Sequence, residues 1–374
     1  MKFADIIGQK ELKAKLVSTV LDERVSHAQL FEGPMGYGTL SIAIAYAQFI
    51  SCENRGADDS CGTCSSCMKY NKLIHPDLHF VFPVNTTKKI KDKPVSDNFL
   101  QEWRQIVLEK TYFTEHDWYE FIEISKQGNI SAHEADRIIS KLNLKSFESK
   151  YKIMIIWLPE RLNTTSANRM LKLIEEPPTN TIFLFATENA SKVLPTIYSR
   201  TQRIRLQPID SKSIEASMQS KGLDEKEIYT VSKLSGGNYI QAMQVLESSE
   251  ASKINFENFV QFMRLSYQND VLGLLDWAEN IASLEREKQK AFLAFAEQMI
   301  RENFILNKKV EDIVYLGYEE FEWAKKFSRF ITEDNVFEIY NQLNLCIPHI
   351  SQNGNAKIIF TDLALKIKEL IRPK

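Results

Sequence analysis

Short runs of consecutive apolar residues limit what the first half of this chain can fold into. Each run is rich in β-branched or aromatic side chains and is separated from the next by an amphipathic helical pattern. Such runs suit strands buried on both faces, and strands that alternate with helices form parallel sheets. The candidate strands are "HAQLF" (27–31), "DLHFVFPV" (77–84), "YKIMIIW" (151–157) and "TIFLFA" (181–186). The sequence therefore predicts an α/β domain with a parallel sheet.

The second half of the chain differs because strand signals stop after "RIRLQPID" (203–210). From Ser211 onward nearly every segment has the spacing of an amphipathic helix, with a break at "SGGNY" (235–239). We therefore expect three domains: a parallel-sheet domain over 1–207, a small helical domain over 208–252 and an all-α C-terminal domain over 253–374.

Composition excludes several classes of protein. The 374 residues are 44% hydrophobic and 26% charged, and the net charge is -2, which argues against a binder held to nucleic acid by a large basic field. No run of eighteen apolar residues exists, and the polar N-terminal segment lacks the features of a signal peptide. We expect a cytoplasmic protein with no membrane partner.

A glycine loop follows the first candidate strand. "GPMGYGTL" keeps Gly33 and Gly38 at the spacing of the phosphate-binding pattern G-x-x-x-x-G-K-[ST]. Thr39 stands where the pattern has its lysine, and Leu40 where it has the hydroxyl that binds Mg²⁺. The loop is therefore degenerate, because it has no cation to neutralise phosphate oxygens.

Four of the five cysteines form a cluster with the spacing C-x8-C-x2-C-x2-C. Four thiolates close a tetrahedral site around Zn²⁺, and this leaves no open position for catalysis. We predict structural zinc in an insert at about 50–70. The predicted ligands are Cys52, Cys61, Cys64 and Cys67.

Other interpretations of this cluster remain open. One C-x-x-C pair would serve redox chemistry if it had an exposed thiol of low pKa. A DNA-binding module is a further alternative, although the flank "ENRGADDS" is acidic. His75 and His79 belong better to "HPDLHF", which leads into a strand, and Cys346 is expected to be a small buried hydrophobe.

The order of the motifs resembles bacterial sliding-clamp loader subunits of the AAA+ superfamily. "ANRMLKLIEEPP" is the most specific of the motifs, and a zinc insert soon after the phosphate loop is also typical of these subunits. The resemblance covers about residues 1–207, and implies a P-loop NTPase-like core, a helical lid and a C-terminal oligomerisation collar. The matching segments are "IIGQ" (6–9), "HAQLFEGPMGYG" (27–38), "HPDLHF" (75–80), "SANRMLKLIEEPP" (166–178) and "IYSRTQRIRL" (197–206).

The resemblance also implies which residues an ATPase of this kind needs. Trp157 and Leu158 occupy the positions of the Walker B acids, and Glu160 follows two or three residues too late. The arginine of the lid, which would touch the γ-phosphate, is replaced by Ile240. Together with the missing lysine of the loop, this makes three absent elements of the nucleotide site. We therefore expect no bound ATP and no intrinsic ATPase.

A fourth element is retained. "YSRTQ" resembles the Ser-Arg-Cys motif, which supplies an arginine finger to the ATP of a neighbouring subunit, with Thr201 in place of cysteine. The resemblance thus gives Arg200 a catalytic role in trans. Without it, Arg200 would be interpreted as an ordinary surface arginine.

Together these features favour the delta-prime class of clamp-loader subunit, which does not hydrolyse ATP itself. The implied partners are the gamma/tau motor subunits and the delta subunit, and indirectly the β sliding clamp and primer–template DNA. The alternative is a divergent motor subunit of the gamma/tau type with a weak ATPase of its own.

Overall fold

A computed structural model describes residues 1–88, 90–124 and 126–371 of the chain. Five strands form one sheet in the order β2-β3-β4-β1-β5 among the described residues, and every pair is parallel. The predicted parallel sheet is confirmed. The strands are β1 (Ala28–Glu32), β2 (Leu78–Val81), β3 (Lys152–Trp157), β4 (Thr181–Thr187) and β5 (Gln202–Arg205).

Helices make up most of the rest of the described chain. The described residues after β5 form helices and no further strand. This confirms the predicted change from α/β to all-α. The helices around the strands are α1 (Lys10–Leu21), α2 (Thr39–Ser51), α3 (Ser65–Tyr70), α4 (Leu100–Glu109), α5 (Glu115–Phe121), α6 (Ala132–Leu142), α7 (Thr164–Glu175) and α8 (Pro195–Tyr198). Those that follow are α9 (Ser211–Ser220), α10 (Glu225–Leu234), α11 (Tyr239–Glu247), α12 (Ser249–Gln268), α13 (Val271–Ala282), α14 (Arg286–Asn307), α15 (Tyr318–Phe327), α16 (Val336–Ser351) and α17 (Ala356–Ile371).

The sheet is buried on both faces because its strands carry apolar residues at successive positions. In β3, Ile153, Ile155 and Trp157 join one apolar core, whereas Met154 and Ile156 join the other. Successive side chains of a strand point to opposite faces, so an unbroken apolar run fills both layers. All thirteen residues of α2 are buried as well, so the helix after the glycine loop is a central part of this core.

The chain divides into two compact units. The first comprises Met1–Ser217 with Gly237–Gln241, and the second comprises Met218–Gly236 with Ala242–Lys374. The second unit has its own apolar core, in which Phe262 and Trp277 stack with ring centroids 4.1 Å apart. The three-domain division at 207 and 252 stays a prediction. None of the helices in the described part of the chain is both long and apolar enough to cross a bilayer.

Candidate functional site

The glycine loop is shaped by backbone requirements that do not depend on a phosphate. Gly36 and Gly38 have φ angles of +84° and +90°, where residues with a Cβ are strained. A Cβ on Gly33 would lie 3.1 Å from Cβ of Leu206, which is closer than ordinary contact. These glycines let β1 turn directly into α2 while packing tightly against β5 and the segment after it.

The crevice beside this loop is nearly filled by protein. Its free volume is about 20 Å³, which is room for one water molecule, whereas ligand pockets have several hundred Å³. Thr39 and Leu40 are 5% and 7% exposed, so the two positions that would hold phosphate and Mg²⁺ belong to the interior. The residues that line the crevice are Gly36, Gly38, Thr39, Leu40, Ser41, Thr111, Tyr112, Phe113, Trp157, Glu188 and Ile240.

Tyr112 closes the crevice from the segment between α4 and α5. Its ring lies so near Gly38 that a Cβ there would be 3.1 Å from Cε1. The hydroxyl accepts a hydrogen bond from the backbone N–H of Ile7 at 3.0 Å, and the ring packs against Tyr239 with centroids 4.7 Å apart. Burial raises the pKa of Tyr112. This residue was not predicted from the sequence, because nothing in its local pattern distinguishes it from other aromatic residues.

The residues at the Walker B positions serve the core. Trp157 is 1% exposed, and its ring lies 5.2 Å from the rings of both Trp103 and Phe113. Leu158 is also buried, with a φ angle of +55° that is unusual for a branched side chain. Nothing at these two positions offers an oxygen ligand to Mg²⁺.

Glu160, the acidic residue that follows the Walker B positions, is hydrogen-bonded to residues at the end of β4. Its carboxylate accepts hydrogen bonds from Thr187 Oγ1 at 2.8 Å and from the backbone N–H groups of Glu188 and Asn189 at 3.1 and 3.2 Å. Burial raises the pKa of Glu160. Burial and the neighbouring Glu160 and Glu115 raise the pKa of Glu188, which lines the crevice, to about 8. The carboxylate of Glu160 therefore caps the end of β4.

The predicted lid position supplies an apolar side chain to the same crevice. Ile240 is 9% exposed and belongs to the short segment Gly237–Gln241, which clusters with the α/β unit. This segment is fastened to the loop by two hydrogen bonds, from Asn238 Nδ2 to the carbonyl of Met35 at 2.8 Å and from the backbone N–H of Tyr239 to the carbonyl of Gly36 at 3.2 Å. The structure thus brings Thr39, Trp157 and Ile240 together around one closed crevice.

Arg200 lies in the turn between α8 and β5. Its side chain is 35% exposed and forms an ion pair through Nε with Glu175, at the end of α7. Nη1 donates to the carbonyl of Thr196 at 3.0 Å and to Ser199 Oγ at 3.3 Å. The hydroxyl of Thr201 donates to the carbonyl of Ile197 at 3.2 Å, so the residue that replaces cysteine closes the turn.

The four cysteines of the cluster come together as predicted. Among the described residues, they are the group of Cys, His, Asp or Glu side chains whose ligand atoms converge closely enough to hold a metal ion. Their sulfur atoms all lie within 4.8 Å of one another, with 3.6 Å between Cys52 and Cys61 and 3.9 Å between Cys61 and Cys67. A tetrahedral Zn²⁺ with bonds of ~2.3 Å requires sulfurs ~3.8 Å apart. The cluster can therefore hold a metal ion, and its donor set and size fit zinc.

Backbone groups support the cluster. N–H groups of Thr63 and Cys64 donate to the sulfur of Cys61 at 3.4 and 3.3 Å, and they lower its pKa to about 6. Burial raises the pKa of Cys52 and Cys67, and a cation offsets this cost when buried thiols ionise. His75 and His79 lie outside the cluster: His75 accepts a hydrogen bond from the backbone of Asp77. His79 lies in β2.

The loop between the first two cysteines holds the N-terminal segment. The carboxylate of Asp59 accepts hydrogen bonds from the backbone N–H groups of Phe3 at 3.0 Å and Ala4 at 2.9 Å. Since Ile7 donates to Tyr112, the cysteine insert and the closed crevice are joined through one short stretch of backbone. Sequence analysis treated Asp59 only as part of an acidic flank.

Parallel strands with a glycine loop between β1 and the buried helix α2 define the class, a P-loop NTPase-like α/β protein. Comparison with known families gives a more specific result. The profile of the family described as DNA polymerase III, delta subunit, matches residues 8–210, which is more than half of the chain. The chain belongs to this family of clamp-loader AAA+ proteins.

Individual relatives include more than one kind of subunit. DNA polymerase III subunit delta' of Bacillus subtilis is 30% identical over 55% of this chain and 50% of its own length. Subunit tau of the same organism is 26% identical over 66% of this chain and 38% of its own length. Subunit delta' of Haemophilus influenzae is 26% identical over 70% of this chain and 68% of its own. The chain thus spans half or less of the length of both Bacillus relatives.

Solved structures add only a weak likeness. A gamma subunit-related protein of DNA polymerase III from Thermotoga maritima covers 96% of this chain and 99% of its own, with a TM-score of 0.36 and 13% identity. A RuvB Holliday junction branch migration motor from the same organism covers 64% of this chain and 61% of its own, with a TM-score of 0.37 and 14% identity.

Proposed function

We propose that this chain is a non-hydrolysing, delta-prime-like subunit of the DNA polymerase III clamp loader, and that it contributes Arg200 to ATP bound by a neighbouring subunit. The closed crevice is the observation that carries the proposal. A space of about 20 Å³ lined by Thr39, Trp157 and Ile240 has neither the room nor the charge for a nucleoside triphosphate and Mg²⁺.

Arg200 has the chemistry that the closed crevice lacks. A guanidinium is always charged, and its planar donors suit the oxygens of a phosphoryl group on which charge develops. Its position on the surface, 35% exposed, supports a role outside this chain. Arginine fingers supply ~10³–10⁵ in turnover, so a single exposed residue accounts for a large effect on a partner's rate.

The family match supports a proposal for the wider assembly. The proposed partners are the gamma/tau motor subunits and the delta subunit, with the β sliding clamp and primer–template DNA as indirect partners in the cytoplasm. The cysteine cluster is proposed to bind structural Zn²⁺ through Cys52, Cys61, Cys64 and Cys67. With four protein ligands and no open position, a bound Zn²⁺ would cross-link the insert and leave the phosphoryl chemistry to other groups.

Arg200→Ala tests the proposal in a reconstituted clamp loader supplied with clamp and primed DNA. We expect turnover at the site that faces Arg200 to fall by ~10³ while assembly of the complex is retained. Arg203→Ala is the matched control, because Arg203 is an exposed arginine three residues away whose guanidinium contacts Tyr198. Unchanged turnover in Arg200→Ala would refute the finger.

The alternative, a gamma/tau-like motor subunit, is supported by the similarity to subunit tau. It requires ATP to enter the crevice, and equilibrium binding of a fluorescent ATP analogue to this chain distinguishes the two. We expect no binding at micromolar concentrations with or without Mg²⁺. Micromolar, Mg²⁺-dependent binding would favour the motor subunit.

A further inference from the structure

Two of the three nitrogens of the Arg200 guanidinium donate to other groups of the chain. Nε is engaged by Glu175, and Nη1 by the carbonyl of Thr196 and the hydroxyl of Ser199. Nη2 makes no hydrogen bond with any residue that the structure describes. Because the guanidinium is planar, fixing Nε and Nη1 also fixes the direction in which the Nη2 edge points.

We propose that Glu175 is the positioning residue of Arg200, and that it turns the Nη2 edge of the guanidinium toward the phosphate of a neighbouring subunit. This inference rests on the proposed function, since it assumes that Arg200 acts in trans. Arginine loses several rotatable bonds when it is ordered on a phosphate. A carboxylate that has already selected the rotamer removes part of that cost before the neighbour binds.

The location of Glu175 is not explained by the stability of its helix. It is the last residue of α7, where the partial negative charge of the helix terminus disfavours an acidic side chain. The guanidinium of Arg200, in the turn between α8 and β5, offsets the negative charge of the carboxylate and that of the helix terminus. The start of the same helix is capped in an ordinary way, by Asn163, whose side chain accepts from the backbone N–H of Ser166 at 2.7 Å.

The exposure of the Arg200–Glu175 ion pair indicates whether Glu175 orients Arg200 for a phosphate or competes with the phosphate for it. The side chains of Arg200 and Glu175 are 35% and 47% exposed, and ion pairs this accessible to water are weak. A multiply charged phosphate attracts a guanidinium more strongly than one solvated carboxylate does. Glu175 therefore orients Arg200 without competing effectively for it.

A set of variants in the reconstituted clamp loader tests this role, with ATP turnover measured in the presence of clamp and primed DNA. We expect Glu175→Ala to lower kcat about three- to fivefold at unchanged KM for ATP, which is the range for an exposed ion pair. Glu175→Gln should stay close to the unaltered chain, because the amide oxygen still accepts from Nε. Glu176→Ala is the matched control, since Glu176 is an exposed neighbour without an ion pair among the described residues.

A double variant separates positioning from a general structural effect. Glu175→Ala should have no further effect in a chain that already carries Arg200→Ala, because Glu175 acts only through that guanidinium. Equal losses with and without Arg200, or a kcat that is unchanged or raised in Glu175→Ala, would overturn the positioning role and leave the finger in place. If Arg200→Ala itself leaves turnover unchanged, the proposed function fails first.

Discussion

The glycine loop and the Arg200 turn belong to the same α/β unit, but they have opposite surroundings. Trp157 at the crevice is 1% exposed and packed against aromatic rings, whereas Arg200 is 35% exposed and held by polar groups. Side chains of the first kind contribute to folding, and those of the second kind are free to contact another molecule. The comparison separates a crevice whose side chains belong to the core from a residue that the core does not need.

Trp157→Ala should have the largest effect on stability. Removing a fully buried indole that contacts Trp103 and Phe113 leaves a cavity, and substitutions of this kind cost ~3–5 kcal/mol. Urea denaturation measures the change in the free energy of unfolding. Arg200→Ala is the counterpart and should cost less than ~1 kcal/mol, since its ion pair is exposed. Similar losses in the two variants would remove the distinction between core and surface.

Loss of the proposed Zn²⁺ should have the next largest effect. Cys64→Ser should reduce bound metal from one ion per chain, measured by elemental analysis, and lower the free energy of unfolding by more than ~2 kcal/mol. Because Asp59 holds the N-terminal segment from the same insert, hydrogen exchange at the amides of Phe3 and Ala4 should accelerate.

Cys346→Ala is the control for this experiment, because Cys346 is a buried cysteine in α16 outside the cluster. It should leave the metal content and the exchange of the N-terminal amides unchanged. Metal content that survives Cys64→Ser would contradict the four-thiolate site. Exchange that stays slow after the metal is lost would show that the insert holds the N-terminal segment without it.

Glu188, which lines the crevice, gives the stability of the chain a pH dependence. Its pKa is raised from about 4.5 to about 8, so the folded chain keeps a proton that the unfolded chain releases. Stability should therefore fall as pH rises from 4.5 to 8. Glu188→Gln removes this contribution and should be ~1–2 kcal/mol more stable than the unaltered chain at pH 8, with no difference below pH 4.5.

Thermal or urea unfolding at several pH values checks this expectation. Glu134, which is buried and whose pKa is raised to about 7, adds a trend of the same sign, so the comparison between variant and unaltered chain is what isolates Glu188. Glu176→Gln serves as the exposed control and should change stability little at any pH. A Glu188→Gln chain that parallels the unaltered one throughout would mean that this carboxylate ionises freely.

Much of the fold could be predicted from the sequence, because local patterns of apolar residues indicate which segments are buried. The largely apolar runs at 151–157 and 181–186 predicted strands that the structure has at Lys152–Trp157 and Thr181–Thr187. The two-residue spacers between Cys61, Cys64 and Cys67 likewise predicted a converging cluster, since short turns fix where the sulfurs point. In each case the signal lies within a short stretch of the sequence.

The contacts that sequence reasoning missed join distant segments. Tyr112 closes the crevice through Ile7, which is 105 residues away, and Glu175 meets Arg200 across 25 residues. In neither pair does the local sequence around one residue indicate that the other is its partner. The loss of the loop lysine and the Walker B acids predicted a site without ATP chemistry, but not that protein side chains fill the space.

Restoring the pattern of the loop should have the smallest effect. Thr39→Lys with Leu40→Thr rebuilds G-x-x-x-x-G-K-T, yet the crevice beside it has only about 20 Å³. We expect no measurable affinity for a fluorescent ATP analogue, because Tyr112, Trp157 and Ile240 still occupy the space and neither Walker B position carries a carboxylate for Mg²⁺. Adding Tyr112→Ala opens the crevice and provides the matched comparison. Micromolar ATP binding by the loop double variant alone would mean that two residues, and not a filled crevice, keep the nucleotide out.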